Sequence, residues 1–502
     1  MIDAAALAGA LSTVFAVENL FFLCLGVVIG ILAGILPGIN AAIGITLVIP
    51  FTYGMEPVTA LLMALGLWGG ENYGGSVTSI LVRTPGAASG AATIFDGHPL
   101  HEQGHSGKAL GISCIASATG WFISTIILVL LAIPIAAFAL RFGPAEYFAV
   151  GIFGLSMVSA VSGENLLKGF IATVVGLLLV TVGTDPFSGL PRFTFGQIEL
   201  FEGIDFLIVM IGVFALSEVL VQASRAAAEA ERGAQRYSAE LPSWAEIRSV
   251  IPTVLRSSVL GTFVGSAPGA GGSIAAFIAY GQAKNFSRHP ERFGKGSLEG
   301  IAAPESANNA TEGGALIPLL TLGVPGSGAA AVILAVMIIN GIQPGPQVFE
   351  EQPVLVYSLF IGLAIGAFFL LFAGLFAARW LIYAVHTPRP YLVTGITGIA
   401  CMGGLAISSS IFDLRLAVLF GLIGYLMRRC GFPAAPLVLA MVLGFLIETS
   451  LRRAMITADG DWTTFLTRPI SATLLALAVA SFFWPIVKGI RDRRRIQAAG
   501  RG

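Results

Sequence analysis

The chain has 502 residues, of which 56% are hydrophobic and 11% are charged, and its 28 basic and 28 acidic residues cancel. An ordinary soluble domain has about a quarter charged residues, so this composition excludes a series of water-soluble domains and indicates a chain solvated mostly by lipid. The zero net charge and the lack of a long basic stripe also argue against a nucleic-acid-binding protein.

Apolar stretches recur along the chain, and several approach the ~20 residues that a membrane-spanning helix needs. In the first half they cover residues 20–36, 109–140, 147–161, 166–182 and 206–221. In the second half they cover residues 250–264, 330–339, 354–380, 391–407, 414–427, 437–447 and 470–487. This pattern predicts an all-α polytopic membrane protein.

Two regions, residues 34–89 and 265–328, interrupt this pattern because they are rich in Gly, Pro, Ser, Thr and Asn. They carry few charges, so they are compatible with membrane depth. Non-helical backbone at that depth is stable only inside protein or beside a watery cavity. We therefore expect interrupted or re-entrant helices in both regions rather than simple spanning helices.

The two regions also resemble each other, which indicates an internal duplication. The matching segments are residues 34–38 with 265–269, 74–75 with 313–314, and 84–86 with 324–326. Further glycines match in the same order, up to Gly183 and Gly431. An ordered series of this kind is hard to explain by chance.

The duplication and a charged segment in the middle of the chain define four parts. We predict, in order, a first transmembrane repeat, a cytoplasmic linker, a second transmembrane repeat, and an extra C-terminal transmembrane helix with a basic cytoplasmic tail, over residues 1–222, 223–248, 249–450 and 451–502. The linker contains several Arg residues, and short loops rich in Lys and Arg remain in the cytoplasm.

Loop charge indicates that the two repeats have inverted topology. The segment after Gly183 is mainly acidic, whereas the equivalent segment of the second copy begins with Arg428 and Arg429. Since basic loops lie inside, equivalent loops fall on opposite sides of the membrane. This scheme places the N-terminus outside and the C-terminus in the cytoplasm. Arg452 and Arg453 fall on the predicted outer side and count against it.

Inverted repeats with interrupted helices are the architecture of secondary transporters. A helix that begins inside the membrane presents unpaired, partly positive N–H groups that bind carboxylates. The candidate substrate- and ion-binding residues are the four Pro-Gly breaks and the small polar residues near them: Pro37, Gly38, Asn40, Asn72, Ser76, Thr78, Pro85, Gly86, Pro268, Gly269, Ser273, Asn308, Asn309, Thr311, Pro325, Gly326 and Ser327. For each small residue, the alternative is a role in close helix packing.

Charged residues also lie beside these breaks, and ionisable groups at membrane depth are functional candidates by default. Glu71, Glu305 and Glu312 could bind a coupling cation, or they could lie at an interface with their carboxylates in the headgroup region. Arg83 could bind a substrate carboxylate, but anchoring at the membrane edge explains it better.

Motifs for catalysis and for metal binding are missing from the sequence. It contains no G-x-x-x-x-G-K-[ST], H-E-x-x-H or G-x-S-x-G motif, so we expect neither ATP hydrolysis nor a catalytic residue. His98, His101 and His105 have the spacing of a metal-binding helix face. We expect the Gly and Pro residues between them to break that helix, so we predict no metal site.

Several motifs together resemble the large membrane subunit of tripartite tricarboxylate transporters, the TctA type. Residues 69–81 read GGENYGGSVTSIL, residues 96–99 read DGHP, residues 303–318 read APESANNATEGGALIP, and residues 323–327 read GVPGS. The resemblance runs from about residue 20 to about residue 449.

The resemblance implies a protein of the bacterial inner membrane that works with a small four-helix membrane subunit and a periplasmic solute-binding protein. That binding protein would deliver a carboxylate, and a gradient of Na⁺ or H⁺ would drive import without a cofactor. Our main hypothesis is the permease subunit of such a secondary transporter for tricarboxylates or related organic acids. The alternatives are a stand-alone ion-coupled anion symporter and, from another class, a membrane-embedded enzyme.

Overall fold

The computed structural model describes residues 3–36, 39–83, 86–156, 166–225, 240–267, 271–385, 397–398 and 410–480. Nearly all regular structure in these ranges is helical. A two-stranded sheet, in which β1 (Gly183–Thr184) pairs antiparallel with β2 (Pro191–Arg192), accounts for the strands described. The prediction of an all-α protein is therefore confirmed.

The first half of the chain contains ten helices within the described ranges. They are α1 (Ala4–Val14), α2 (Val17–Ile35), α3 (Ala41–Thr52), α4 (Pro57–Val82), α5 (Ile94–Glu102), α6 (Ser106–Ala139), α7 (Pro144–Ser156), α8 (Leu166–Val180), α9 (Phe206–Met210) and α10 (Ser217–Arg225). A 3-10 turn, η1 (Ala88–Ala91), precedes α5, and a π-helical segment (Ile211–Leu216) joins α9 to α10.

The second half also contains both long and short helices within the described ranges. They are α11 (Trp244–Ser266), α12 (Gly271–Phe286), α13 (Leu298–Leu322), α14 (Gly328–Ile339), α15 (Val348–Glu351), α16 (Pro353–Val385), α17 (Ile411–Arg429), α18 (Ala435–Thr457), α19 (Thr464–Thr467) and α20 (Pro469–Ala480). The predicted apolar stretch at residues 391–407 lies almost wholly outside the described residues. Because α11 begins at Trp244, the end of the predicted linker is helical.

Four of the described helices are long and apolar enough to cross a bilayer. They are α2, α6, α18 and the Pro353–Phe376 part of α16. A bilayer core is about 30 Å thick, and only helices or closed barrels satisfy their backbone groups within it. These helices indicate a multi-pass membrane protein.

Helices α4 and α13 refine the expectation of interrupted or re-entrant helices at residues 34–89 and 265–328. Each region contains one long, continuous helix, and α13 runs through Pro304 and Pro318 without ending. Almost every residue of both helices is buried. The polar, glycine-rich composition therefore belongs to helices that are enclosed by protein, and the breaks are confined to the short segments between helices.

Glycines let α2 and α4 approach so closely that their backbones touch. A Cβ atom added at Gly30 would meet the Leu67 backbone, and one added at Gly70 would meet the Val27 backbone. Both helices carry glycine at every fourth residue along this contact, which is how membrane helices maximise van der Waals contact. For these glycines the close-packing alternative explains the composition.

Helices α11 and α13 make the equivalent contact in the second copy. This contact corrects the residue-by-residue alignment of the two copies. A Cβ at Gly74 would meet Ile31, and one at Gly314 would meet Thr262. Ile31 and Thr262 are equivalent residues of the two copies, so Gly74 is equivalent to Gly314. The match of residues 74–75 with 313–314 is therefore wrong by one residue, because the glycine pairs of the two copies overlap only at Gly74 and Gly314.

The described residues form two compact units, and each contains segments from both halves of the chain. The larger unit comprises Met1–Ala137 and Leu207–Tyr425, and the smaller unit comprises Phe138–Phe206 and Leu426–Gly502. Within the larger unit, α3 packs against α14, and their equivalents α12 and η1 pack against each other. Such reciprocal contacts are typical of a two-fold relation between copies. The inverted orientation across a membrane stays a prediction.

Candidate functional site

Two asparagines of α13 bind this helix to α4 in the larger unit. Asn308 Nδ2 donates to the Asn72 carbonyl at 3.4 Å, and Asn309 Nδ2 donates to the Gly69 carbonyl at 3.0 Å. A backbone carbonyl only accepts, so these contacts determine which end of each amide is nitrogen. The side-chain oxygens of Asn308 and Asn309 are acceptors that are buried without a donor.

Two glutamates lie at the same crossing of α4 and α13. Glu312 follows Asn308 by four residues and Asn309 by three, so the three side chains share one face of α13. Neither carboxylate oxygen of Glu312 has a hydrogen-bond partner, and Oε1 of Glu71 also has none. Glu71 interacts electrostatically with Glu312, and its carboxylate also accepts the backbone N–H of Ala41 at the start of α3.

The corrected register shows how the two copies contribute to this crossing. Glu71 is equivalent to Thr311, and Asn72 is equivalent to Glu312. Each copy therefore supplies one carboxylate, but at adjacent positions rather than at equivalent ones. Sequence matching alone did not reveal this arrangement, because the one-residue error in the register hid it.

Glu305, two helical turns before Glu312, has a different environment. The Ser76 hydroxyl donates to its Oε1 at 2.5 Å, the Ser113 and Ser117 hydroxyls donate to its Oε2 at 3.0 and 3.1 Å, and the Thr93 hydroxyl donates as well. Four donors fill the usual acceptor capacity of a carboxylate. Glu305 therefore connects α13 to α4, to α6 and to the segment before α5.

The burial of the three predicted glutamates tests the alternative that they lie at a membrane interface. Glu71 is 2% exposed, Glu305 is 1% exposed and Glu312 is fully buried. A carboxylate that reaches the headgroup region would be exposed on the surface of the protein. The alternative of an interfacial, snorkelling role is therefore wrong for all three residues.

Asp96 of α5 is an anchor whose contacts the sequence analysis missed. Its Oδ2 accepts the Tyr280 hydroxyl at 2.9 Å. Its Oδ1 accepts four consecutive backbone N–H groups at 2.7–3.1 Å, from Gly294, Lys295, Gly296 and Ser297. Gly294 and Gly296 have φ angles of 83° and 100°, which turn the N–H groups toward one point. The two glycines flanking Lys295 in the sequence are the signal that could have indicated this anion-binding turn.

Three predicted site residues lie at the starts of helices. The Asn40 side chain caps α3 by accepting the Ile43 N–H at 3.0 Å, and the Ser327 side chain caps α14 by accepting the Ala330 N–H at 3.1 Å. Ser273 is half-buried in the first turn of α12. These residues define the helix starts that the Pro-Gly breaks predicted.

Three further hydroxyls among the predicted residues already have partners. Ser76 donates to Glu305, as described above. Thr78 donates to the Gly75 carbonyl at 3.2 Å, and Thr311 donates to the Asn308 carbonyl at 2.6 Å. Thr311 therefore lies beside the α4–α13 crossing, whereas Ser76 and Thr78 are engaged elsewhere on α4.

In each copy, the glycine of the second Pro-Gly break packs against the last turn of the helix that precedes the first Pro-Gly break. These helices are α2 and α11. A Cβ at Gly86 would meet the Gly34 carbonyl, and one at Gly326 would lie 3.0 Å from the Gly265 carbonyl. Pro325 is buried beside Gly326. The structure thus brings the two break regions of each copy together. The other predicted break residues lie outside the described residues: Pro37, Gly38, Pro85, Pro268 and Gly269.

The histidines of α5 have structural contacts. The helix runs through Pro99 and ends at Glu102, so the expected break between His98 and His101 is wrong. His98 Nδ1 contacts the Ile80 carbonyl at 2.9 Å, and His101 Nδ1 contacts a serine hydroxyl at 2.6 Å. Among the residues described, no group of three or more His, Cys, Asp and Glu side chains is arranged to hold a metal ion.

Arg83 ends α4 in a left-handed backbone conformation, with φ of 54°. Its equivalent at the end of α13 is Gly323, with φ of 71°. A non-glycine residue in this conformation costs roughly 1 kcal/mol. The Arg83 side chain is exposed, which is compatible with both roles considered for it.

In the smaller unit, two arginines and two carboxylates form an ion-pair network. Arg192 lies 2.6 Å from Glu448 and 3.3 Å from Asp185, and Arg452 lies 2.9 Å from Asp185 and 3.0 Å from Glu448. The backbone N–H of Ser188 and, to a smaller extent, Arg452 lower the pKa of Asp185 to about 2. Arg452, which counts against the predicted topology, is thus paired with two carboxylates.

Comparison with known proteins identifies the family. The model of the tripartite tricarboxylate transporter TctA family matches residues 20–439. An uncharacterized 52.8 kDa protein in the TAR-I ttuC' 3' region of Agrobacterium vitis is 38% identical over 476 residues, which cover 95% of each chain. An uncharacterized protein in the TAR-II ttuC' 3' region of the same organism is 39% identical over 234 residues, which cover 47% of this chain and 97% of that protein. No solved structure shows significant similarity to the chain. The chain therefore belongs to the TctA family of tripartite tricarboxylate transporters.

Proposed function

We propose that this chain is the permease subunit of a binding-protein-dependent secondary transporter that imports tricarboxylates or related organic acids. The family supports the assignment to a tripartite transporter. The observation that carries the proposal of ion coupling is the set of buried oxygens without donors at the α4–α13 crossing. Buried acceptors without partners are costly, and a bound cation or proton would offset that cost. A gradient of Na⁺ or H⁺ then drives import.

Substrate carboxylates bind near the starts of α3 and α12 in this proposal. Each helix begins directly after a Pro-Gly break, and helix starts carry partial positive charge. Asn40 at the start of α3 is exposed, and Ser273 in the first turn of α12 is half-buried. The start of α3 also donates the Ala41 N–H to Glu71, so it connects a substrate-binding helix to the ion-binding oxygens.

The membrane topology has an outside N-terminus and a cytoplasmic C-terminus. Two contacts support this scheme, because each joins residues predicted to lie on the same side. Lys108 lies 2.9 Å from Glu240 of the cytoplasmic linker, and Arg452 lies 2.9 Å from Asp185 on the outer side. Single cysteines introduced at residues 4 and 500 should react from opposite sides of the membrane. Labelling of both from the same side would contradict the inverted repeats.

The proposed partners are a small four-helix membrane subunit and a periplasmic solute-binding protein, in a bacterial inner membrane. The test is uptake of radiolabelled citrate, as a representative tricarboxylate, by proteoliposomes that contain both membrane subunits and the binding protein. Uptake should require an imposed ion gradient and should stop when ionophores collapse it. Uptake that survives the ionophores and needs ATP would contradict the proposal.

The same proteoliposomes distinguish the two alternatives. A stand-alone symporter would take up citrate without the binding protein and the small subunit. A membrane-embedded enzyme would convert citrate to another compound without concentrating it. The tripartite proposal predicts uptake of unchanged citrate that is lost when the binding protein is omitted.

A further inference from the structure

We infer that the α4–α13 crossing contains a Na⁺ site, formed by Glu71, Asn308, Asn309 and Glu312. This inference rests on the proposed ion-coupled function and names the residues that hold the ion. We call the five oxygens involved the acceptor cluster: Glu71 Oε1, Asn308 Oδ1, Asn309 Oδ1, and Glu312 Oε1 and Oε2. All five are buried and lack a hydrogen-bond donor.

The two amide oxygens distinguish this candidate ion site from a simple pair of buried acids. Asn308 is 1% exposed and Asn309 is fully buried. Their nitrogens are committed to the carbonyls of α4, so a flip of either amide would place two oxygens against each other. Asn72 Nδ2 is an unpaired donor beside the cluster. The two N–H groups of this one amide cannot satisfy five acceptor oxygens.

The type of the acceptors and their number suit a metal cation. A proton on a carboxyl group creates one O–H donor, which serves one acceptor. Protons on both Glu71 and Glu312 would turn two of the five acceptors into donors, each of which serves a single oxygen in one direction. A hard cation instead takes several oxygens as ligands at once, and carboxylates and amide carbonyls are the ligands that such ions prefer.

Dehydration at this buried site favours a monovalent cation. The Glu71 carboxylate accepts the Ala41 N–H at the start of α3, and a helix start carries about half of a positive charge. Two carboxylates and this helix start sum to a charge of about −1.5, so a monovalent or a divalent cation would offset that charge to within about half a unit. Mg²⁺ retains several waters in its coordination shell, and Glu312 lies where no side-chain surface is open to solvent.

The acceptor cluster contacts the starts of both interrupted helices. The Ala41 N–H of α3 bonds to Glu71. Asn308 Oδ1 occupies the space that a Cβ of Gly272 in α12 would need. A cation that attracts these oxygens therefore acts on both helix starts, where the substrate is proposed to bind. This arrangement gives a physical route for Na⁺ to control substrate affinity.

Equilibrium binding of ²²Na⁺ to the purified full-length chain in detergent tests the inference without any transport. Choline chloride keeps the ionic strength constant. The wild type should bind ²²Na⁺ saturably, and Na⁺ should raise its melting temperature. Glu312→Gln should weaken binding about a hundredfold, because a buried charged ligand is lost. Glu305→Gln is the matched control, since that carboxylate has its own four donors, and should bind as the wild type does.

The melting temperature in Na⁺-free buffer shows whether Glu312→Gln folds. It should match or exceed the wild-type value, because the substitution removes an uncompensated buried charge. A wild type without saturable ²²Na⁺ binding, or a Glu312→Gln variant that binds ²²Na⁺ as the wild type does, would overturn the inference. If the citrate uptake described above is nevertheless driven by an ion gradient, the proposed function stands and this site assignment fails. If ²²Na⁺ binds saturably but citrate uptake does not depend on an ion gradient, the site assignment stands and the proposed function fails.

Discussion

Glu305 and Glu312 lie on the same face of α13, two helical turns apart, and both are almost completely buried. Four hydroxyl groups from α4, α6 and the segment before α5 surround Glu305. No donor reaches either oxygen of Glu312. The difference teaches that burial of a carboxylate in a membrane protein does not by itself indicate an ion site. A buried carboxylate that anchors helices has hydrogen-bond donors from the protein, whereas a buried carboxylate that is a candidate ion ligand lacks them.

The acceptor cluster also differs from the Glu305 site in what surrounds it. Hydroxyl groups can donate or accept, so the Glu305 site adjusts to its own charge. The amides at the crossing cannot adjust, because α4 carbonyls occupy their nitrogens. The first site is complete within the protein, and the second requires a ligand.

The largest expected effect is on transport by the Glu312→Gln variant. Ion-driven citrate uptake in proteoliposomes should fall about a hundredfold or more, since the coupling ion loses a charged ligand. Asn309→Leu should also abolish uptake, because it removes an acceptor of the cluster. Glu305→Gln should retain most uptake per folded molecule. Equal losses in Glu305→Gln and Glu312→Gln would erase the distinction between the two sites.

Removal of the Glu305 carboxylate should instead reduce stability. Glu305→Leu leaves four buried hydroxyls without their acceptor, and we expect the free energy of unfolding to fall by about 3 kcal/mol. Glu305→Gln keeps one acceptor oxygen and should lose less. Thermal unfolding in detergent, with and without Na⁺, measures both effects. An Na⁺-dependent change in the stability of Glu305→Leu that differs from that of the wild type would show that Glu305 also contacts the ion.

Asp96 provides a second complete carboxylate site for comparison. Asp96→Asn should lower the free energy of unfolding by about 2 kcal/mol, because charge-assisted bonds from four backbone N–H groups are weakened. Hydrogen exchange should rise first at residues 294–297, which bond to Asp96. Glu350→Gln, at an exposed acid, is the control and should change neither quantity. Unchanged exchange at residues 294–297 would contradict the anchoring role.

The smallest effect concerns the ion-pair network of the smaller unit. The pKa of Asp185 is lowered to about 2 in the folded protein, compared with about 3.9 in an unfolded chain. The interactions of ionised Asp185, chiefly with the backbone N–H groups of Ser188 and Phe187 and then with Arg452, therefore contribute their stability above about pH 4 and lose it as the pH falls toward 2. Arg452→Gln should move this loss to higher pH, as measured by hydrogen exchange at residues 183–192. An unchanged pH profile would show that Arg452 does not hold Asp185.

Several features of the fold were predictable because they follow from local composition. The apolar stretches predicted spanning helices such as α2 and α6, and the motif at residues 303–318 predicted the family. The Pro-Gly pairs predicted the starts of α3 and α12. Each of these signals is contained within about 20 consecutive residues, the length of one spanning helix.

The roles of individual side chains were not predictable, because their partners are distant in the sequence. Glu305 takes its donors from residues more than 180 positions earlier in the chain. Nothing near Glu312 in the sequence distinguishes its environment from that of Glu305. The equivalence of Asn72 and Glu312 was also hidden, because two adjacent glycines in each copy permit a register error of one residue.

The most direct test of the central claim is simultaneous measurement of ²²Na⁺ and citrate entry into proteoliposomes that contain the complete transporter. If the acceptor cluster couples Na⁺ to import, ²²Na⁺ should enter together with citrate in the wild type and in Glu305→Gln. Glu312→Gln should admit neither. Citrate entry without ²²Na⁺ in the wild type, or coupled entry that persists in Glu312→Gln, would contradict the account.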